Sequence, residues 1–144
     1  MFSKTNLLST LAAAIWAYFG GYLLWGILSV DFFNDHLGSA TGVMRDVPDM
    51  VHLILGCIIV AFAISTIYRK WANSNYGAGT GFTFGFWIAI LIGLGEGLVN
   101  FATSNISDIT ATLVNVIITI IFYGIMGLIV GLVYSKTTSG PVTA

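Results

Sequence analysis

The chain has 144 residues, of which 57% are hydrophobic and only 8% are charged, and its formal net charge is -1. A soluble domain carries about 25% charged residues, and a nucleic-acid-binding protein needs a basic face, so the composition excludes both classes. The mean hydropathy of +0.93 instead predicts one domain over residues 1–144 whose main solvent is lipid.

Four segments are long and apolar enough to cross a bilayer as helices, which takes about 20 residues at about 1.5 Å each. The first, 7–30, is about twice as long as the apolar region of a signal peptide, so we interpret it as a retained helix. The others follow at 50–68, 81–103 and 109–135. The short alternating strands of a membrane barrel are not visible. The predicted fold class is therefore all-α, a bundle of four transmembrane helices.

The cations predict the orientation of this bundle. In a four-span arrangement Lys4, Arg69, Lys70 and Lys136 fall on one side, and Arg45 alone falls on the other. Because cytoplasmic loops carry the excess of Lys and Arg, both termini are predicted to be cytoplasmic. The lipid bilayer is the main predicted partner.

The connection between the first two predicted helices is the longest of the three. The stretch "VDFFNDHLGS" places Phe32, Phe33 and Leu37 on one side, as a short interfacial helix would. An ordinary polar loop anchored by two aromatic rings is the alternative. The same connection is acidic, with Arg45 facing a set of four carboxylates: Asp31, Asp35, Asp46 and Asp49.

Glycines spaced four residues apart occur in the third and fourth predicted helices. Such spacing puts small residues on one helix face, where two backbones can approach closely. The four-residue connection "SNIS" also requires these helices to form a close hairpin. We expect close packing along the glycine pairs, which are Gly81 with Gly85, Gly93 with Gly97, and Gly127 with Gly131.

Glu96, the only glutamate, interrupts the third predicted helix in its outer half. An ionised carboxylate in hydrocarbon is costly, so it should face protein or water and have a partner. Asn100 is one turn further along the same face, and Asn115 reaches a similar depth on the fourth helix. His52 and Tyr22 lie near the outer ends of the second and first helices. These five residues are the predicted ligand-binding set.

Three interpretations of this set remain open. In the first, Glu96 is a protonated structural residue that fixes helix register. In the second, the set binds a proton, a cation or a small polar ligand. In the third, Glu96 and His52 act as acid and base. No nucleophile paired with a base accompanies them, so no catalytic residue is assigned. Asp31, Asp35 and His36 are interpreted as hydrated loop charges rather than metal ligands. We therefore expect neither a metal nor a cofactor.

Several stretches carry a family resemblance. These are "WAYFGGYLLWGIL", "GSATGVMRDVPDM", "GFTFGFWIAILIGLGEGLVNFATSN" and "ITATLVNVI", the last followed by "GIMGLIVGLVYSK". Together they resemble an uncharacterised family of small four-helix bacterial inner-membrane proteins, a domain of unknown function. The resemblance implies the fold, four spans and a bacterial membrane. It implies no activity, cofactor or catalytic residue.

Two functions are therefore predicted side by side. The leading one is a non-catalytic structural or accessory subunit that forms homo-oligomers or docks on a larger membrane complex. The alternative is a small ligand-binding or ion-handling membrane protein that uses the site around Glu96.

Overall fold

The chain folds into five helices within the part that the computed structural model describes, which is residues 2–43, 45 and 47–138. They are α1 (Lys4–Leu28), α2 (Val30–Asp35), α3 (Met50–Trp71), α4 (Ala78–Thr103) and α5 (Ile109–Thr138). All but α2 are long and apolar enough to cross a membrane, which confirms the predicted all-α, four-span fold class. Asp46 of the acidic connection and residues 139–144 lie outside the described residues.

Two sides of the bundle can be distinguished. The terminal side holds the start of α1, the end of α5 and the α3–α4 connection. The distal side holds α2 and the α4–α5 connection. The short helix α2 confirms the helical turn predicted in the long connection.

Three helices begin at residues whose side chains accept hydrogen bonds from the first turn. Ser3 accepts from the backbone N–H of Asn6 at the start of α1, and Asp49 accepts from His52 at the start of α3, both at 3.2 Å. Asp108 accepts from Ala111 at 2.7 Å at the start of α5. Such capping satisfies backbone donors that have no partner inside the helix, and it fixes where these helices begin.

The four long helices are ordered α3, α1, α5, α4, so that α5 is central. It packs along most of α4 and also against α1, while α3 packs mainly against α1. The helices α3 and α4 meet only near the terminal side, where the Phe84 ring lies 5.5 Å from that of Tyr68 and 5.4 Å from that of Trp71. The distal halves of α3 and α4 therefore diverge.

Glycines allow the close contact between α4 and α5. A Cβ atom on Gly81 would overlap the carbonyl group of Gly127, and one on Gly85 would overlap the carbonyl group of Tyr123. Because the contact is between backbones, no side chain larger than hydrogen fits there without moving a helix. The predicted glycine packing and the close hairpin of the last two spans are thus confirmed.

A buried polar cluster joins three helices near the terminal side. The side-chain oxygen of Asn6 on α1 accepts hydrogen bonds from Ser65 on α3 and from Tyr134 on α5, the latter at 3.0 Å. The side-chain amide of Asn6 donates to the hydroxyl of Thr66 at 3.2 Å. Buried polar groups are costly without partners, so this cluster fixes the relative positions of α1, α3 and α5.

Candidate functional site

Two of the predicted ligand-binding residues, Asn100 and Asn115, line one cavity on the distal side. Its volume is about 450 Å³, and it lies between the end of α1, the end of α4 and the start of α5. The walls are largely apolar, with Phe33 from α2 and Phe101 from α4, and Asn34 adds a further amide. An apolar cavity with a few amides is typical of a small-molecule site.

The side chain of Asn115 has a defined orientation in this cavity. The indole N–H of Trp25 on α1 lies 2.8 Å from Asn115 Oδ1, and an indole N–H can only donate. The oxygen of Asn115 must therefore face Trp25, which leaves its NH₂ group as a donor. Trp25 is itself held by an edge contact with Phe122, at 5.2 Å between ring centroids.

The long connection borders this cavity on the distal side, where Leu37 lines it. The backbone N–H of Gly38 donates to Ile106 at 2.9 Å, that of Ala40 donates to Asn105 at 3.1 Å, and that of Asp108 donates to His36 at 3.1 Å. These bonds attach the segment after α2 to the α4–α5 connection. The segment that borders the cavity is thus held by backbone hydrogen bonds around an isolated bridge between Leu37 and Ser107.

Glu96 lies beside the cavity and does not line it. It ends a π-helical segment, Ile90–Glu96, in which each turn holds an extra residue and the helix faces shift. The neighbouring glycines pack on α5, since a Cβ on Gly93 would lie 2.9 Å from Thr119 and one on Gly97 would lie 3.8 Å from Thr112. Glu96 lies between these two glycines along the helix and is exposed.

The carboxyl group of Glu96 belongs to an exposed residue of α4. Within the described residues it forms neither a hydrogen bond nor an ion pair. Neither Asn100 nor Asn115 forms a hydrogen bond to it in the described part of the chain, and the Asn115 oxygen accepts one from Trp25. The acid therefore has no close partner inside its own chain in the part that the structure describes.

His52 and Tyr22 are not brought to Glu96, so the expected convergence of five residues is not observed. His52 is exposed, and its Nδ1 lies 2.8 Å from Asp49 Oδ2. Tyr22 is 64% exposed, and its ring lies along α1 over Gly26. His52 is kept apart by the divergence of α3, of which only the terminal half is buried, through Ala61, Ile64, Ser65 and Tyr68.

The Asp49–His52 contact is a local feature of the α3 N-terminus. The pKa of the Asp49 carboxyl is lowered, first by the backbone N–H of His52 and then by the His52 side chain, since both favour the charged form. Arg45 lies 3.7 Å from the same carboxylate. These exposed groups order the helix start and are separate from the cavity.

Asn34 is a cavity residue that the sequence did not identify. In the sequence it looks like one polar residue among several in a loop, and only the attachment of the segment after it to residues 105–106 brings it into the cavity that Asn115 also lines. The terminal cluster around Asn6 was also missed. The sequence could have indicated this cluster, because Asn6 and Tyr134 are polar residues at matching depths near the two ends of the chain.

Comparisons with protein-family models, with curated proteins and with solved structures found no match for this chain. The family resemblance of the quoted motifs therefore stays a prediction. Among the described residues there is also no group of three or more His, Cys, Asp or Glu side chains that could hold a metal ion. Function has to follow from the geometry of the chain's own residues.

Proposed function

We propose that this protein is a non-catalytic membrane protein that pairs with a second copy of itself through the distal half of α4. The observation that carries the proposal is the exposed Glu96, which has no hydrogen bond or ion pair within the described residues. Glu96 lies seven residues before the end of α4, or about 10 Å along the axis. A charge at membrane depth costs about 3 kcal/mol, so a group from outside the chain should cover it.

A second copy fits this requirement. In a pair related by a two-fold axis along the membrane normal, each residue meets residues of the other copy at the same depth. Asn100 is exposed one turn from Glu96 and has amide donors for a carboxyl group. Leu91 and Val99, which are 64% and 62% exposed, add apolar surface on either side. The pair would thus join complementary polar groups inside an apolar contact.

Cross-linking tests this arrangement. We expect Val99→Cys, in a Cys57→Ala background, to form a disulfide between two copies in native membranes. Ile59→Cys is the matched control, because Ile59 is 66% exposed on α3, far from the proposed contact. Equal cross-linking at both positions, or none at Val99→Cys, would refute the pairing. Cross-linking of Val99→Cys to a different membrane protein would show that the partner is that protein and not a second copy.

Removing the carboxyl group tests its contribution. Interhelical hydrogen bonds in membranes contribute about 0.6–1.7 kcal/mol each, and a two-fold pair contains two equivalent contacts, so Glu96→Leu should weaken pairing about 8- to 300-fold. Glu96→Gln keeps a hydrogen-bonding group and should weaken it less. The control Asp35→Leu removes a carboxyl outside the spans. Native mass spectrometry measures the ratio of the 15.4 kDa chain to its dimer, and equal ratios in Glu96→Leu and Asp35→Leu would contradict the proposal.

The orientation proposed with this function has both termini in the cytoplasm of a bacterial cell. It is supported by Lys4, Arg69, Lys70 and Lys136, which all belong to the terminal side, and by the preference of such residues for the cytoplasmic face.

Binding of a small uncharged ligand in the distal cavity is a second candidate function. It is favoured by the free NH₂ group that Trp25 imposes on Asn115 in a cavity of about 450 Å³. A ligand with a carbonyl or hydroxyl group would accept from that donor. Loss of a co-purifying small molecule in Asn115→Leu, but not in Glu96→Gln, would support this function. An unchanged content in Asn115→Leu would count against it.

A further inference from the structure

A second cavity, of about 400 Å³, opens on the terminal side, between the start of α1, the end of α3 and the α3–α4 connection. Its lining is polar and includes two cations, Arg69 and Lys70. One water molecule takes about 30 Å³ in the liquid, so the space accommodates a polyatomic ion together with part of an organic substituent. The cavity is separate from the distal site and from the exposed face of α4.

The cations of this cavity have no acidic partner among the described residues. The ion pairs among the described residues both use Asp49, which is on the distal side. The acidic positions of the whole sequence are 31, 35, 46, 49, 96 and 108, and those in the described part belong to the distal connections or to the distal halves of the helices. An anion entering this cavity therefore meets no competing carboxylate from the described residues.

The connection beside the cavity adopts an unusual backbone conformation. Asn73 and Ser74 have φ values of 44° and 69°, in the left-handed region that residues other than glycine rarely occupy. Two such residues in succession are strained, and strain of this kind is concentrated at ligand-binding and switching segments. Both residues line the cavity. The strained turn therefore adds a side-chain amide and a hydroxyl to the wall that carries Arg69.

The remaining walls are held in place by buried contacts. Tyr76 lies between the rings of Tyr134 at 5.0 Å and Tyr68 at 6.0 Å. The hydroxyl of Thr66 accepts a hydrogen bond from Asn6, which is 1% exposed. That hydroxyl keeps its own proton as a donor, because no acceptor for it is found among the described residues. The cavity thus combines polar side chains held by buried contacts with two exposed cations.

We infer that this cavity binds the phosphate group of an anionic ligand. Arg69 supplies a planar fork of donors suited to two phosphate oxygens, and Lys70 supplies a second positive charge. Thr66 and Ser74 supply hydroxyl donors. Basic pockets between helix ends at a membrane surface bind lipid head groups by this chemistry, and a soluble phosphate compound presents the same oxygens. This inference does not depend on pairing through α4, because it uses other helices on the other side.

The test uses the full chain in a neutral detergent and measures its thermal midpoint with three additives. These are short-chain phosphatidylglycerol, short-chain phosphatidylcholine and inorganic phosphate. A ligand that binds only the folded state raises the midpoint. A rise with phosphatidylglycerol alone identifies a lipid head group as the source, and a rise with inorganic phosphate identifies a soluble one. No rise with either, or an equal rise with phosphatidylcholine and phosphatidylglycerol, would overturn the inference.

A matched pair of variants locates the binding. Arg69→Gln should weaken binding of the effective additive at least tenfold, since it removes a charge-assisted pair of hydrogen bonds. Lys136→Gln removes one charge from the same side outside the cavity, and should change affinity much less. Arg69→Lys keeps the positive charge but loses the planar guanidinium, so its loss of affinity should lie between those of Arg69→Gln and Lys136→Gln. This variant also provides the measurement if Arg69→Gln does not fold. Equal losses in the Arg69 and Lys136 variants would overturn the assignment.

Discussion

Removal of the Tyr134 hydroxyl tests the polar cluster that joins three helices. Tyr134 is 2% exposed, and its hydroxyl lies 3.0 Å from Asn6 Oδ1 and 3.2 Å from the carbonyl oxygen of Ser65. Its single proton is shared between these acceptors. Because Asn6 Oδ1 keeps the hydrogen bond from Ser65 in Tyr134→Phe, no acceptor is left without a donor. We therefore expect a loss of about 1 kcal/mol in the free energy of unfolding, a magnitude typical of one net hydrogen bond.

The matched control is Tyr18→Phe. The hydroxyl of Tyr18, on the same helix as Asn6, makes no hydrogen bond to the described residues, so its removal should change the free energy of unfolding by less than about 0.5 kcal/mol. Reversible unfolding in mixed micelles with rising SDS content, followed by tryptophan fluorescence, measures both variants. If the two variants are equally stable, the cluster does not hold α1, α3 and α5 together, and the reasoning from its hydrogen bonds is wrong.

Three other changes test other parts of the structure. Gly81→Val should destabilise the bundle by about 2 kcal/mol or more, because the new valine side chain would overlap the backbone of α5. The control Gly56→Val should have little effect in the same unfolding assay, because nothing lies within 4 Å of a Cβ atom at that position. Trp25→Phe removes the indole donor of the distal cavity and should lower stability by about 1 kcal/mol, so wild-type unfolding would contradict that role. A cysteine at Ser39, in a Cys57→Ala background, should react with an impermeant thiol reagent from outside intact cells. Labelling only after lysis would reverse the proposed orientation.

The positions of the spans followed closely from hydropathy, and their ends differ for identifiable reasons. Helix α1 starts at Lys4 rather than residue 7 because Ser3 caps it. It ends at Leu28 rather than residue 30, where the Ser29 hydroxyl donates to the carbonyl of Leu24 at 2.6 Å. The spans that end on the terminal side run on to Trp71 and Thr138, since Lys and Arg near a helix end can extend their charges to the interface.

The candidate site was predicted only in part. Asn100 and Asn115 do line one cavity, because an amide pattern at matching depths on adjacent spans survives small changes of register. The predicted positions of Glu96 and Tyr22 assumed a regular α-helical period. Each lies at the boundary of a π-helical segment, Ile90–Glu96 or Tyr22–Leu28, where that period no longer holds. His52 was misplaced for another reason, since nothing in the sequence shows that α3 diverges from α4.

The lipid environment, the number of spans and the glycine contact between α4 and α5 could be predicted from the amino-acid sequence, because each of these depends on composition or on spacing within one helix. Which polar groups meet depends on how the helices pack against one another. Helix order and divergence turn Glu96 outward, place Arg69 in a cavity beside a strained turn, and join Asn6 to Tyr134 across 128 positions of sequence. Hydropathy is a sum over residues, whereas these contacts depend on the rotation and neighbours of each helix, which only packing fixes.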